Sequence, residues 1–501
     1  MTAFGIEHPL IIQGGMGVGV SNWVLAKAVS LRGQLGVVSG TCIDTVLVRR
    51  LQDGDDGGHV RRAMAHFPLP EVVEDVLRKY FRPEGRAEGE PYKAIPMYKQ
   101  VVSKVREQLT MLASFVEVWL AKEGHDGVVG VNLLTKVQMP NLATLYGAML
   151  ARVDYVLMGA GIPKEIPGAL DLMAAHEPAA IRFDVESGVK DDSEMLTFDP
   201  REHFAEPPAG GVKRPYFLPI IASNSLATML VRKATGRVDG FVIEAPTAGG
   251  HNAPPRVSGV YNERGEPLYG ERDEVDLEKM KEHGLPFWLA GSAGTPEKLA
   301  EALDAGAAGV QVGTLFAYSD ESGIAPELKR DVIRQAQDDA IDVLTDGRAS
   351  PTGFPFKVVQ LGGTVSQLPV YEARERVCDL GYLRQPFKRA DGRIDYRCAA
   401  EPVETYVKKG GQRDDTVGRK CLCNALFATI GMGQVRDEGV EEKPLITSGD
   451  ELKNIRRFIG SDRAGYSAGE VIDWLLSGLE RLCHPRASEA KHARAAAPVV
   501  G

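Results

Sequence analysis

Cysteine is scarce in this chain, at 6 in 501 residues. That is too few for a disulfide scaffold, so a reducing compartment is expected. Long hydrophobic runs are missing as well: none approaches the ~18 residues that a membrane helix needs. The opening Met1-Thr-Ala-Phe-Gly-Ile-Glu-His-Pro-Leu10 has no basic segment ahead of an apolar one, which argues against a secretory signal and for a cytoplasmic location. No strong charge excess exists either, since 59 Lys plus Arg against 68 Asp plus Glu leave only −9. A nucleic-acid or anionic-membrane partner therefore has no electrostatic footprint here. Solenoid-type repeats are absent.

What is present is material for a large core. Apolar residues make up 44% of the chain and charged ones 25%, which excludes a disordered or fibrous protein. Short, continuously apolar runs recur at Leu10–Gln13, Leu35–Ser39, Val128–Leu133, Tyr155–Met158, Phe217–Ala222, Gly240–Glu244, Phe287–Ala290 and Gly309–Val312. Continuous rather than alternating apolarity is the mark of parallel strands covered on both faces. Segments with helical spacing lie between them. The first opens at Ser21, buries Val24, Leu25, Ala28 and Val29, and closes at Gly33. Eight such strands predict an α/β fold, a (β/α)8 barrel, in preference to an open sheet.

Three stretches interrupt the alternation. Residues 51–125 carry a helical pattern from Tyr98 through Ala121, and residues 165–215 suggest a helix and hairpin around Ile181–Val185. Residues 252–283, rich in proline, glycine and charge, read as a long loop. Insertions at the C-terminal ends of strands would lie over the barrel mouth as lids. The barrel is expected to occupy residues 1–360. Residues 361–501 form a mainly helical extension holding five of the six cysteines. Ser467-Ala-Gly-Glu470 has capping-box spacing ahead of Val471, Leu475 and Leu479, and Ser488–Gly501 reads as a frayed tail.

Three places carry chemistry. Gln13-Gly-Gly-Met-Gly17 follows the first strand, where glycines admit a flat or anionic ligand close to the backbone. Gly291-Ser-Ala-Gly294 and Gly313-Thr314 follow the seventh and eighth strands, the turns with which barrels frequently bind phosphate. Ala248-Gly-Gly-His251 follows the sixth strand and sets an imidazole at the catalytic face, suited to taking a proton from a carbon acid.

In this order, together with Gly130-Val-Asn-Leu133, these motifs resemble the nitronate monooxygenase family over roughly residues 5–360. The resemblance implies FMN held without a covalent bond. Gln13, Gly14, Gly15 and Met16 would line the isoalloxazine, Asn132 would bond near the ring or ribityl chain, and Gly249 and Gly250 would adjoin the cofactor. Gly291, Gly313 and Thr314 would take the phosphate. His251 would face a nitroalkane or nitronate as base, or as a cation holding the nitro group. Oxygen would be the co-substrate, and a homo-oligomer is compatible with the sequence. The chain departs from the family at Ala245-Pro-Thr247, where Glu244 stands earlier than the usual glutamate. Further departures are Gly291-Ser-Ala293, and Met158-Gly-Ala-Gly161 in place of a Phe-Gly turn. Alternatives are an NAD(P)H-dependent flavin enoyl reductase related to enoyl-acyl-carrier-protein reductase II, or a non-catalytic flavin-binding scaffold.

Cys378, Cys398, Cys421 and Cys423 offer four thiols, but a C-x-C pair and two distant partners do not match a common zinc or iron–sulfur spacing. No metal is expected. Cys421 and Cys423 read as packing residues at a helix start, and Cys42, just after the second strand, as packing near the flavin.

Overall fold

The computed structural model describes residues 8–187, 194–460 and 465–483. Eight parallel strands form the central sheet: β1 (Ile11–Gln13), β2 (Gly36–Ser39), β3 (Val129–Leu134), β4 (Tyr155–Gly159) and, after a hairpin of β5 (Ala179–Phe183) and β6 (Glu194–Phe198), β7 (Tyr216–Ile221), β8 (Phe241–Glu244), β9 (Phe287–Ala290) and β10 (Gly309–Val312). Their order is β1-β10-β9-β8-β7-β4-β3-β2. A parallel bridge from Ile12 to Leu35 joins the two edges and closes the barrel. All eight expected strands are there, each within a residue or so of its expected bounds.

Alternation along each strand sorts the core. Ile12, Val37, Leu157, Leu218, Val242 and Trp288 fill the barrel interior, while the intervening residues pack outward against helices. Trp288 is fully buried and donates its indole N–H to the Pro9 carbonyl at 2.8 Å.

The first insertion departs from the lid expectation, whereas residues 252–277 of the third do border recesses at the mouth. Within residues 51–125 the long helix is Lys104–Lys122, shorter at its start than the sequence pattern suggests, capped by Ser103. It packs against the helices Trp23–Ser30 and Asn141–Leu150, so it is the outer-layer crossover from β2 to β3 rather than a cover. The first helix also differs in detail. Asn22, not Ser21, is its cap, and Val24 points to solvent while Ala26 is buried.

Beyond β10 come the antiparallel pairs β11 (Val343–Asp346) with β12 (Phe356–Val359) and β13 (Gln385–Lys388) with β14 (Ile394–Arg397), then the helix Leu422–Thr429 and the final helix Ala468–Cys483. The expected Ser467–Glu470 capping box is formed: the Glu470 carboxylate accepts from the Ser467 N–H at 2.8 Å. Val471 and Leu475 are fully buried. This helix packs on Pro296–Asp304 and Trp23–Ser30, the helices that follow β9 and β1, and so completes the outer ring. The expected tail Ser488–Gly501 lies outside the described residues.

Candidate active site

A chamber with about 1580 Å³ of empty space, counting its opening, occupies the C-terminal mouth of the barrel. Its floor is the turn after β1. The Gly14 N–H donates to Val312 O at 2.8 Å, tying the turn to β10. Ser21, freed from capping, accepts from the Met16 N–H at 2.8 Å and donates to Gly14 O at 2.8 Å. Asn132 donates from Nδ2 to Gly15 O at 2.7 Å. A Cβ on Gly15 would lie 2.2 Å from that of Asn132, so only glycine lets β1 and β3 converge here.

Not every expected ligand residue faces this chamber. Gly14, Gly15, Met16, Asn132, Gly249, Gly250, Gly291, Gly313 and Thr314 line it, and Gln13 does not. Gln13 shares the outward parity of Ile11. Its amide accepts from the Val37 N–H at 3.0 Å and donates to Ser21 Oγ at 2.8 Å, bracing the turn and the barrel seam. Gly249 has a structural duty as well, because its missing Cβ would lie 2.8 Å from the Gly449 nitrogen.

That contact belongs to a wall the motifs did not reveal. The segment Thr447–Glu451, from the C-terminal extension, inserts between the turns after β8 and β10. Thr447 Oγ1 accepts from the Gly250 N–H at 2.8 Å, and Thr314 Oγ1 accepts from the Gly449 N–H at 3.0 Å. Thr314 thus keeps its hydroxyl proton for a ligand. Glu451 accepts from the Gly294 N–H at 3.1 Å, and burial raises its carboxyl above the usual range. Leu383, Leu422, Cys423 and Leu426, also from the extension, complete the cover. The C-terminal extension thus covers the chamber, and residues 252–277 wall the recesses beside it.

Inward parity identifies two further residues. Gln311 stands in β10, and its Oε1 is buried without a partner; the same is true of Asn132 Oδ1. Both residues line the chamber. Glu244, two residues beyond the inward-facing Val242, ends β8 at the chamber wall. The readable signal was strand alternation, since a polar residue at an inward position near a strand's C-terminal end must face the mouth.

His251 lines the chamber, its Nε2 2.7 Å from Ser350 Oγ and its ring edge-on to Phe356. Burial, helped by the nearby Lys136 cation, lowers its pKa to about 3. Near pH 7 this favours the neutral imidazole, a weak proton acceptor, over the cation. Lys136 lies over the Phe354 ring, and burial brings its ammonium down to about 7.

Cys42 and Cys423 line the chamber, and burial pushes both thiols up, so they stay protonated. Cys378, Cys398, Cys421 and Cys423 border one small cavity behind the lid. Cys421 caps the helix Leu422–Thr429 and contacts Val377 O at 3.8 Å. Among the described residues no set of three or more His, Cys, Asp or Glu side chains is arranged to hold a metal ion.

The glycine turns, the unpartnered Asn132 and Gln311 oxygens and the free Thr314 hydroxyl suit a planar ring, a donor-bearing chain and an anion. Residues 202–352 match the nitronate monooxygenase family. The matched stretch carries Glu244, Ala248–His251, Gly291, Gly313 and Thr314; the β1 turn and Asn132 precede it. That family consists of FMN-dependent enzymes, and the residues at this mouth fit FMN. No curated protein shows significant similarity to the chain. Among solved structures, FabK from Thermotoga maritima aligns over 96% of this chain and 95% of its own at 16% identity, with a TM-score of 0.45. A nitroalkane oxidase from Streptomyces ansochromogenes aligns over 94% and 96% at 15%, with a TM-score of 0.40. The enoyl reductase domain of MlnA from Bacillus amyloliquefaciens aligns over 97% of each at 12%, with a TM-score of 0.46.

Proposed function

We propose that the protein is an FMN-dependent oxidoreductase of the nitronate monooxygenase type, oxidising a nitronate or nitroalkane with O2 to an aldehyde or ketone and nitrite. The observation that supports this most is the pair of buried, unpartnered oxygens, Asn132 Oδ1 and Gln311 Oε1, beside a glycine-lined turn. Each calls for a donor, and the flavin ring N–H and the ribityl hydroxyls are donors of the required kind. Gly14, Gly15 and Met16 would lie against the ring, and Gly291, Gly313 and Thr314 would hold the phosphate. Bound FMN supplies the electron acceptance and the reaction with oxygen. The chain's own task is to seat the substrate beside it under the lid, with the neutral His251 giving one hydrogen bond to a nitro oxygen.

A second reading is an NAD(P)H-dependent enoyl reductase. It is favoured by one feature, an apolar recess outside His251 lined by Ile162, Leu226, Met229, Pro254 and Phe354, whose empty space of about 1680 Å³, counting its opening, exceeds what a small nitroalkane needs. Anaerobic mixing decides between the two. Bleaching of the flavin by ethyl nitronate, with nitrite formed on admitting air, supports the first reading. Bleaching by NADH or NADPH and not by nitronate supports the second, and resistance to every donor supports a non-catalytic flavin protein. Among the described residues no helix is long and apolar enough to cross a membrane.

A further inference from the structure

Among the described residues, Glu244 alone lies where three cavities meet. It borders the chamber, the apolar recess outside His251, and a second, polar recess beneath residues 262–277. Its parity with Val242 turns the carboxyl toward the barrel axis, and among the described residues it has neither a hydrogen-bond nor an ion-pair partner. Half-buried where the three cavities meet, the carboxyl is open to a ligand rather than committed to the fold. From this placement we infer that Glu244 is the group that exchanges a proton with the substrate carbon, taking the Cα proton of a neutral nitroalkane. The inference rests on the proposed reaction, and it moves the base from the imidazole to the carboxylate.

The step is simple to balance. The Cα–H bond breaks, its proton forms an O–H bond on Glu244, and the electron pair moves onto a nitro oxygen to give the nitronate. Nothing is oxidised. His251 remains a positioning hydrogen-bond partner at the nitro group.

Proton affinities agree with this division. Burial raises Glu244 to about 8, whereas His251 falls to about 3. A base is most effective when its pKa lies near the working pH. The charged and titratable groups around Glu244 are His251, with Lys136 beyond it, and Arg256 on the apolar side, Tyr269 and Asp273 on the loop, Lys357 bonded to Asp450 at 2.6 Å with Arg264, Lys298 and Lys453 on the polar side, and Glu451. None of these cations is bonded to the Glu244 carboxyl, and burial alone sets the direction of its shift. The polar recess gives the proton a way to water, while the substrate arrives through the apolar one.

The test uses FMN-loaded wild type, Glu244→Gln and Glu244→Asp, with nitroethane and preformed ethyl nitronate under anaerobic conditions. In Glu244→Gln, flavin bleaching by nitroethane should slow by about 10²–10⁴-fold, the usual share of general base catalysis, with bleaching by nitronate changed less than about threefold. The wild-type nitroethane rate should climb through pH 8 and lose that dependence in the glutamine variant. Exchange of the nitroethane Cα hydrogens with D2O gives a readout without oxidation. It should occur in wild type, vanish in Glu244→Gln and return in part in Glu244→Asp. The infrared carbonyl band of a protonated acid that titrates near pH 8, absent from Glu244→Gln, reports the carboxyl without any substrate. Equal losses on both substrates, or exchange unchanged in Glu244→Gln or absent from wild type, overturns the inference. Failure of nitronate to bleach wild-type flavin refutes the proposed reaction instead, and exchange still decides on Glu244.

Discussion

Replacing Gly15 with alanine probes the chamber floor most sharply. The added methyl would stand 2.2 Å from Asn132 Cβ and 2.9 Å from Val37 Cγ1, both on strands with no slack. Overpacking a tight site costs about 1–3 kcal/mol. Pushing Asn132 aside also breaks its 2.7 Å bond to Gly15 O, worth about 0.5–1.5 kcal/mol. A total of roughly 1.5–4.5 kcal/mol follows from these two terms. Whatever part is relieved by displacing Asn132 appears as lost FMN affinity, about tenfold for each 1.4 kcal/mol. The control is Gly313→Ala, whose Cβ would meet only Met16, at 3.6 Å from Sδ, an ordinary contact. Urea unfolding of the apoprotein and fluorescence titration with FMN measure both effects. Gly15→Ala should be clearly destabilised and bind FMN at least about tenfold more weakly, with Gly313→Ala close to wild type. Indistinguishable behaviour of the two variants would refute the close approach of β1 and β3 as the reason for glycine.

Other substitutions separate the remaining roles. Gly313→Leu extends a side chain past the Met16 contact into the proposed phosphate space, so FMN affinity should fall while the apoprotein keeps its melting temperature; unchanged affinity removes the pocket. His251→Asn should slow nitroethane and nitronate oxidation alike, by about tenfold for one hydrogen bond, and a loss confined to nitroethane would restore the imidazole as base. Glu244 binds its proton more tightly folded than unfolded, so its stabilising contribution is whole below pH 4.5 and is lost as pH rises toward 8. Glu244→Gln should accordingly melt like wild type at pH 4.5 and above it at pH 8.5, and a constant difference across that range would contradict the buried neutral carboxyl. Cys421→Ala should cost about 1–3 kcal/mol of packing energy without releasing metal; about one zinc or iron per chain, lost with unfolding in this variant, would reverse that reading.

The barrel was legible because its code is local. Eight continuously apolar runs identify parallel strands, and Gly14, Gly15, Met16, Asn132, Gly291, Gly313 and Thr314 converge because barrel strands end on one rim. Ranking residues by motif rather than by parity hid Gln311 and Glu244, which sit inside strands that otherwise read as core. The same habit misplaced Gln13, whose outward parity commits its amide to the barrel seam. Thr447–Glu451 was illegible for a different reason. Nothing near it in sequence marks its contact with Gly249, Gly250 and Thr314, which arises only when the extension folds back over the mouth. The helix Lys104–Lys122 shows the converse, since an apparent insertion with a long apolar face is a barrel helix after an unusually long connection.

The central claim is that this mouth holds FMN. The most direct measurement is the cofactor released by heat from purified or FMN-reconstituted protein, identified by chromatography and counted against protein. The account predicts FMN at about one per chain, retained on gel filtration and lost from Gly313→Leu. FAD in its place, or no flavin held after reconstitution, would contradict it.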